Sequence, residues 1–235
     1  MEKSSRNLQI LNIATVLLMV IATGLVFLYA PQERTMGEVQ RIFYFHVPTA
    51  WVSMLAFFVT LVTSIAYLRS GNPRWDIIGR SSVEVGLIFT LMTILSGSIW
   101  ARPSWNTWWT WDPRLTTYTI MALIYVAYLM LRQSIEDPER RARLAAVYGI
   151  VGFVTVPITF MSIRWWRTIH PVVIGSGSST AQGGFDMTPH MLVAFLFSLF
   201  AITVLYFCFL ANRVRLENLA ERVEQMKAKL LSAGG

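Results

Sequence analysis

Long apolar segments recur six times along the chain, each separated from the next by a polar or turn-forming stretch. An α-helix needs about 20 apolar residues to cross the hydrocarbon layer of a bilayer. The pattern therefore predicts an all-α integral membrane protein whose six-helix bundle occupies residues 1–212. The predicted transmembrane helices lie at about 10–30, 46–68, 83–101, 115–131, 145–163 and 189–211.

The last and the first parts of the chain need separate interpretation. Residues 213–235 are rich in charge, with Leu216, Leu219 and Val223 at helical spacing, which predicts an amphipathic tail lying on the membrane or on a partner. The first apolar segment is long and lacks the small-residue cleavage site of a secretory signal peptide. We therefore expect it to be a retained membrane anchor.

Composition agrees with a membrane location and excludes several kinds of chemistry. Hydrophobic residues make up 54% of the chain and charged residues 14%, against about 45–50% and about 25% in soluble domains. The single cysteine, Cys208, excludes an internal disulfide, and no C-x-x-C-H motif is present for covalent haem attachment. No Walker A motif occurs, so we expect the chain not to hydrolyse ATP itself.

Basic residues divide unequally between the two ends of the predicted bundle. Fourteen of the 20 Lys and Arg residues fall at the end that carries both chain termini. Because positive charge favours the cytoplasmic side, we predict that both termini and the charged tail are cytoplasmic. The loops at about 31–45, 102–114 and 164–188 then face outward. The net charge of +7 is explained by this topology and by attraction to anionic lipid, without a nucleic acid partner.

Tryptophan is concentrated at the predicted outer end, where eight of the nine residues lie, although aromatic belts form at both membrane surfaces. We predict a short interfacial helix at 105–111, capped by Ser104, in the second outer loop. Asp112 and Pro113 are typical of the N-cap and first residue of the next transmembrane helix; ligand contact by Asp112 is compatible with that role. The predicted helix places four indoles on one side as a flat shelf: Trp105, Trp108, Trp109 and Trp111.

All three histidines are also at the predicted outer end. His46 opens the second span and His190 opens the sixth, whereas His170 lies in the middle of the last outer loop. A single histidine at the mouth of a helix is more often a hydrogen-bonded interface residue than a ligand. Two imidazoles at matching depth beside an aromatic shelf favour axial ligation of a haem iron by His46 and His190. We expect His170 to be an ordinary loop residue.

The outer positive charges are all arginine, whose guanidinium group binds carboxylates in a bidentate way. Arg102 and Arg114 flank the tryptophan-rich segment, where the carboxylates of a flat ligand would project. Contact with lipid phosphate is the alternative for each of them. The sequence assigns no role to Glu84, which lies near the inner end of the third span.

The segment Trp105-Asn-Thr-Trp-Trp-Thr-Trp-Asp-Pro-Arg-Leu-Thr116 resembles the tryptophan-rich WWD signature of membrane haem-handling proteins. With six spans and a histidine before the second and the sixth, the chain is similar to the cytochrome c maturation protein C family, CcmC. Asn106 departs from the glycine usual in that family, and Pro113 from its usual small residue.

The resemblance implies a site, a cargo and a set of partners. It implies that His46 and His190 are the axial haem ligands and that the WWD tryptophans and Asp112 bind haem. It implies presentation of haem b, as cargo, on the outer face of the bacterial inner membrane to the haem chaperone of the pathway, the E component. That chaperone forms a covalent histidine–haem adduct. An ABC transporter pair (the A and B components) and a small membrane protein (the D component) complete the complex. We expect a transport subunit and not an enzyme.

Two other functions remain open at this point. A membrane b-type cytochrome subunit of a quinone-linked redox enzyme would carry histidine pairs at two depths, whereas no histidine lies in or near the inner half of the spans. A permease that binds no haem would carry polar or charged groups in the middle of its spans, and such groups are nearly absent.

Overall fold

The computed structural model describes residues 2–33, 36–170 and 187–233. Within these ranges, six helical segments are long and apolar enough to cross a membrane, which confirms the six predicted spans. A π-helical turn, Leu25–Tyr29, extends the first helix, and a 3-10 turn, Glu38–Ile42, precedes the second. The helices are α1 (Glu2–Gly24), α2 (Phe43–Ser70), α3 (Pro73–Trp105), α4 (Pro113–Gln133), α5 (Pro138–Gly152), α6 (Thr155–Trp165) and α7 (Pro189–Ala233).

The bundle has two ends, which we name from the predicted topology. The outer end is formed by residues 30–33, 36–42, 101–114 and 164–170. The inner end carries the start of α1, the last part of α7 and the connections at 71–72 and 134–137.

Three helices begin with the same local motif, an Asn or Asp followed by proline. Asn72, Asp112 and Asp137 each accept a hydrogen bond from a backbone N–H two or three residues later, at 3.0, 2.9 and 2.8 Å. Proline has no backbone N–H. At the first helical position this costs no hydrogen bond, because an N–H there would have no acceptor within the helix. The predicted N-cap role of Asp112 is confirmed.

The fifth span is divided into α5 and α6 by a break at residues 153–154. Proline at position 157 has no N–H to donate to the carbonyl of Phe153. That carbonyl instead accepts from the N–H of Val156 at 2.9 Å, which is the tighter i to i+3 pattern. The span therefore bends just before α6 and the outer end.

The predicted interfacial helix at 105–111 is wrong. Helix α3 continues through Ser104 to Trp105, and residues 106–112 are not helical. Asn106 ends α3 in the left-handed region, with φ of 54°. Glycine adopts this region most readily, and asparagine tolerates it better than most other residues, so Asn106 can end α3 in this conformation. The Thr107 hydroxyl then donates to the carbonyl of Trp109 at 2.9 Å, in a turn that prevents a new helix.

Helices α3 and α4 are joined at the inner end by a buried ion pair. Nη1 and Nη2 of Arg132 lie 2.5 and 2.7 Å from Oδ1 and Oδ2 of Asp76. The Arg132 side chain is only 8% exposed, so this bidentate contact neutralises a guanidinium group that has little access to water.

A second set of charged residues joins α3 to α7. Arg80 lies 3.0 Å from Glu84 and 3.2 Å from Glu217, and Arg213 forms ion pairs with the same two carboxylates. Glu84 is therefore part of a helix–helix contact. Helix α7 continues beyond these residues without interruption, so the predicted tail from residue 213 is the last part of one long helix.

Candidate functional site

A cavity of about 150 Å³ lies at the outer end between α2, α3, α4 and α6. Its walls combine indole rings with two imidazoles and two guanidinium groups, which is an unusual set of side chains for the apolar part of a helix bundle. The residues that supply them are Trp51, Trp100, Trp105, Trp108, Trp109, His46, His170, Arg114 and Arg164.

The hydrogen bonds around His46 favour a proton on Nδ1 over one on Nε2. Nδ1 of His46 lies 3.0 Å from Oγ of Ser96. The Ser96 hydroxyl donates its only proton to the carbonyl of Met92 at 2.7 Å, so toward His46 it can only accept. Nδ1 therefore donates, and Nε2 keeps a lone pair that can bind a metal.

Close packing holds the His46 ring in place. A Cβ atom at Gly97 would stand 2.8 Å from Cε1 of His46, so only glycine at this position leaves room for the ring. The Trp100 indole contacts the imidazole edge-on, with ring centroids 5.8 Å apart. Helix α3 therefore supplies both the hydrogen-bond acceptor and the space for a side chain carried by α2.

His170 lines the same cavity, although the sequence predicted an ordinary loop residue. Its ring centroid is 5.5 Å from that of Trp105, and its Nδ1 is 3.9 Å from Oδ2 of Asp112. The backbone N–H of His170 donates to Oγ1 of Thr168 at 3.1 Å, and the Thr168 hydroxyl donates to Oδ2 of Asp112. Asp112 thus anchors the segment that carries His170 while its other oxygen caps α4 through the N–H of Leu115.

The charge of Asp112 follows from these contacts. Burial raises the pKa of its carboxyl group, but the neighbouring His170 ring, the Thr168 hydroxyl and the N–H of Leu115 outweigh burial and lower the pKa to about 2. The group is therefore a carboxylate at neutral pH. A carboxylate facing Nδ1 of an imidazole favours the tautomer that keeps its proton there, which leaves Nε2 free.

His190 has a different environment. It is exposed at the start of α7 and packs against Tyr29, with ring centroids 4.9 Å apart. A series of ring contacts, from Trp100 to Phe43 at 6.1 Å and from Phe43 to Phe195 at 5.1 Å, lies between α7 and the cavity. His190 is not part of the cavity lining, so the cavity contains His46 and His170.

The predicted aromatic shelf is only partly assembled around the cavity. Trp105, Trp108 and Trp109 line it, although they follow an irregular path rather than one face of a helix. Trp111 lies outside the lining, 73% exposed, with its ring edge-on to Trp109 at 5.7 Å. Trp108 is itself 58% exposed, so these two rings form the rim.

The flanking arginines also differ in position. Arg114 lines the cavity and donates to the carbonyl of Thr159 at 2.5 Å, whereas Arg102 lies outside it, over the ring of Trp108 at 6.0 Å. Arg164 lines the cavity, with its guanidinium group 5.0 Å from the Phe160 ring. Sequence reasoning missed Arg164 and His170. The available signal was the mixture of arginine and tryptophan at 164–167, which matches the composition of 102–114.

Comparison with known proteins identifies the family. The profile of the family described as heme exporter protein C matches residues 1–229. The chain belongs to the heme exporter protein C family. The predicted resemblance is therefore confirmed.

The heme exporter protein C relatives are similar over most of their length. That of Bradyrhizobium diazoefficiens is 34% identical over 224 residues, which cover 95% of this chain and 83% of the relative. That of Escherichia coli K12 is 30% identical over 195 residues, which cover 83% of this chain and 77% of the relative. A putative cytochrome c biosynthesis ccmC-like mitochondrial protein of Marchantia polymorpha is 30% identical over 199 residues, covering 83% and 82%.

Proposed function

We propose that the chain binds haem as cargo in its outer cavity and takes part in haem export for cytochrome c biogenesis. The observation that carries this proposal is the shared cavity of His46 and His170. Nδ1 of His46 faces the Ser96 hydroxyl at 3.0 Å, and Nδ1 of His170 lies 3.9 Å from the Asp112 carboxylate, which is beyond hydrogen-bond distance but attracts a proton on that nitrogen. Both Nε2 atoms are then suited to bind one iron on opposite faces of a macrocycle. His170 replaces the predicted His190 as the second axial ligand.

The tryptophans supply the second part of the binding energy. Trp105, Trp108 and Trp109 offer flat apolar surfaces, and aromatic pairs contribute about 0.5–1.5 kcal/mol each beyond the burial of area. A cavity of about 150 Å³ is smaller than the pockets of about 300–1,000 Å³ that enclose small molecules. Only one part of the porphyrin therefore lies inside the cavity. The rest lies along the exposed rings of Trp108 and Trp111, where a partner can reach it.

Arginines are suited to bind the haem propionates. Arg114 and Arg164 place two guanidinium groups in an otherwise apolar cavity, where a carboxylate gains more from a cation than it does in water. We propose these two as the propionate ligands. Arg102, over Trp108 at the rim, is placed to meet a carboxylate only outside the cavity.

The finer role follows from the family and from the open rim. We propose that the cargo is haem b and that the cavity faces outward from the bacterial inner membrane. The rim would then deliver haem to the E component chaperone, with the ABC transporter pair (the A and B components) and the small D component in the same complex. The membership of the heme exporter protein C family supports this role, and it supports a transport subunit rather than an enzyme. The alternative of a b-type cytochrome that carries electrons across the membrane is disfavoured, because all three histidines are at the outer end.

The axial ligands are tested by three single variants of the purified protein. We expect His46→Ala and His170→Ala to lose the bis-imidazole absorption spectrum and most of the bound haem, and His190→Ala to keep both. Addition of free imidazole to His46→Gly and His170→Gly would restore the spectrum if the rings are ligands rather than packing elements. Loss in His190→Ala with retention in His170→Ala would favour the pair first predicted from the sequence. Retention in both His46→Ala and His170→Ala would disprove haem ligation at this cavity.

Delivery is tested separately from binding. In cells that contain the maturation system, haem-loaded chaperone is measured by its covalent haem stain. We expect it to be lost in the His46 and His170 variants and to be reduced in Trp108→Ala and Trp111→Ala. Rapid reduction of the bound haem by a quinol, with chaperone loading unaffected by these variants, would instead favour the redox function.

A further inference from the structure

A groove at the inner end of the bundle has a chemistry quite different from that of the outer cavity. Its volume is about 650 Å³, and it lies between the first turns of α1, the start of α3 and the part of α7 that is predicted to be cytoplasmic. Each of two helices contributes arginine to its wall, with Arg74 on α3 and both Arg215 and Arg222 on α7. Nothing in the proposed export of haem uses these residues.

The positive charge of the groove is not neutralised within the described residues. No carboxylate lines the groove, and none of Arg74, Arg215 and Arg222 forms an ion pair in that part of the chain. Arg80 and Arg213 on the same two helices, by contrast, are paired with Glu84 and Glu217. The three arginines are exposed to solvent and line one groove, so an anion in it is attracted by all three. The planar geometry of their guanidinium groups matches the oxygens of a phosphate group.

The rest of the lining is aliphatic. Leu8 and Leu11 of α1 face Ile77 and Ile78 of α3 across the groove, which gives a surface suited to hydrocarbon chains. No aromatic ring and no histidine is among the described lining residues, so the groove offers a flat metal macrocycle neither a stacking surface nor an imidazole. A phosphate bound beside aliphatic walls at the boundary of the membrane is the arrangement of a phospholipid.

We propose that this groove binds one anionic phospholipid, with its phosphate on Arg74, Arg215 and Arg222 and an acyl chain along Leu8 and Ile77. Helix α1 packs mainly on α7, so a lipid in the groove also connects α1 to α3. The site therefore gives the inner end a preference for anionic over zwitterionic lipid, independently of haem binding.

The experiment measures lipid binding to the purified full chain by native mass spectrometry. Delipidated protein in detergent is titrated with phosphatidylglycerol or with phosphatidylcholine. The groove variant is Arg74→Gln/Arg215→Gln/Arg222→Gln. The control variant, Arg69→Gln/Arg140→Gln/Arg141→Gln, removes the same charge from the inner end outside the groove lining.

We expect the groove variant to bind phosphatidylglycerol about 100-fold more weakly than the unmodified chain, since each arginine at an anionic lipid contributes about a factor of five. The control variant should change this affinity less than about twofold, and phosphatidylcholine should bind weakly throughout. If the triple variant does not fold, the single variants Arg74→Gln and Arg215→Gln should each lose about fivefold.

Four results would overturn the proposal. An equal loss in the groove and control variants would mean that diffuse surface charge binds the lipid, and no loss in the groove variant would exclude the site. Displacement of phosphatidylglycerol by millimolar glycerol 3-phosphate would identify a soluble phosphate as the ligand. Displacement by equimolar haem would identify the groove as a second haem site.

Discussion

A Cβ atom at position 97 would stand 2.8 Å from Cε1 of His46, closer than unbonded carbon atoms approach one another. Gly97 on α3 and His46 on α2 therefore pack as a complementary pair, in which the absent side chain provides the space for the ring. The Ser96 hydroxyl and the Trp100 indole contact the same ring. The position of this imidazole thus depends on three contacts from one helix.

Replacement of Gly97 by alanine tests this packing. We expect Gly97→Ala to displace the imidazole and lower haem affinity about tenfold or more, as changes beside a metal ligand commonly do. Haem bound per chain is measured by absorbance at saturation and on dilution. Gly24→Ala is the matched control, because a Cβ there has no neighbour within 4 Å. Equal haem binding in Gly97→Ala and Gly24→Ala would show that the ring is not held by this contact.

The Ser96 hydroxyl is expected to set the tautomer of His46. Ser96→Ala removes the acceptor for Nδ1, so the ring can turn or move its proton to Nε2, and haem affinity should fall about 10–100-fold. Ser98→Ala is the control, since Ser98 lines the cavity and its hydroxyl donates to the carbonyl of Ile94 at 2.9 Å rather than facing His46. Haem titration of both variants gives the comparison, and Ser96→Thr, which keeps the hydroxyl, should recover most of the affinity.

Asp112 combines two roles that one substitution separates. Asparagine caps helices about as well as aspartate, so Asp112→Asn should keep the start of α4 and lose only the stability that depends on the carboxylate charge. The neutral amide no longer attracts a proton on Nδ1 of His170, and haem binding should fall about tenfold. Asp112→Ala should lose both the cap of α4 and the charge beside His170, and the loss of the cap should cost about 1 kcal/mol in stability. A stability loss in Asp112→Asn as large as that in Asp112→Ala would contradict this separation.

The low pKa of Asp112 predicts a specific acid sensitivity. Because native contacts lower the pKa from 3.8 to about 2, the carboxylate stabilises the folded chain above about pH 4. That contribution is lost as the pH falls from about 4 through about 2. The difference in unfolding temperature between the unmodified chain and Asp112→Asn should therefore shrink over this interval and be constant from pH 5 to 7. A constant difference down to pH 2 would be inconsistent with the lowered pKa.

The buried ion pair at the inner end predicts a large effect from a small change. Asp76→Asn leaves the Arg132 guanidinium, 8% exposed, without its counter-charge, and we expect a loss of about 3 kcal/mol in the free energy of unfolding. The control is Glu139→Gln, whose pair with Arg143 has side chains 77% and 68% exposed. It should change stability by less than about 0.5 kcal/mol. Thermal unfolding in detergent measures both, and similar values would exclude a special role for the buried pair.

Local features of the chain were predictable because they depend on neighbouring residues. The six spans follow from apolar length alone, and the N-cap of α4 follows from Asp112 and Pro113. The helix at 105–111 was not predictable in this way. Its residues permit a helix, but α3 continues to Trp105 and Asn106 turns the backbone into the left-handed region, so only the short irregular stretch 107–111 separates α3 from the N-cap of α4.

The amino-acid order alone established a six-span membrane protein with its histidines, tryptophans and a WWD signature at one end. Each helix that crosses a membrane must itself contain about 20 apolar residues, so each span can be recognised without knowledge of the others. Which histidine shares the cavity with His46 was decided by contacts between distant parts of the chain. Thr168 reaches Asp112 across 56 residues and brings His170 to the cavity, while Tyr29 packs on His190 away from it. Helical periodicity places a side chain on its own helix, whereas the position of a loop depends on the helices that it meets.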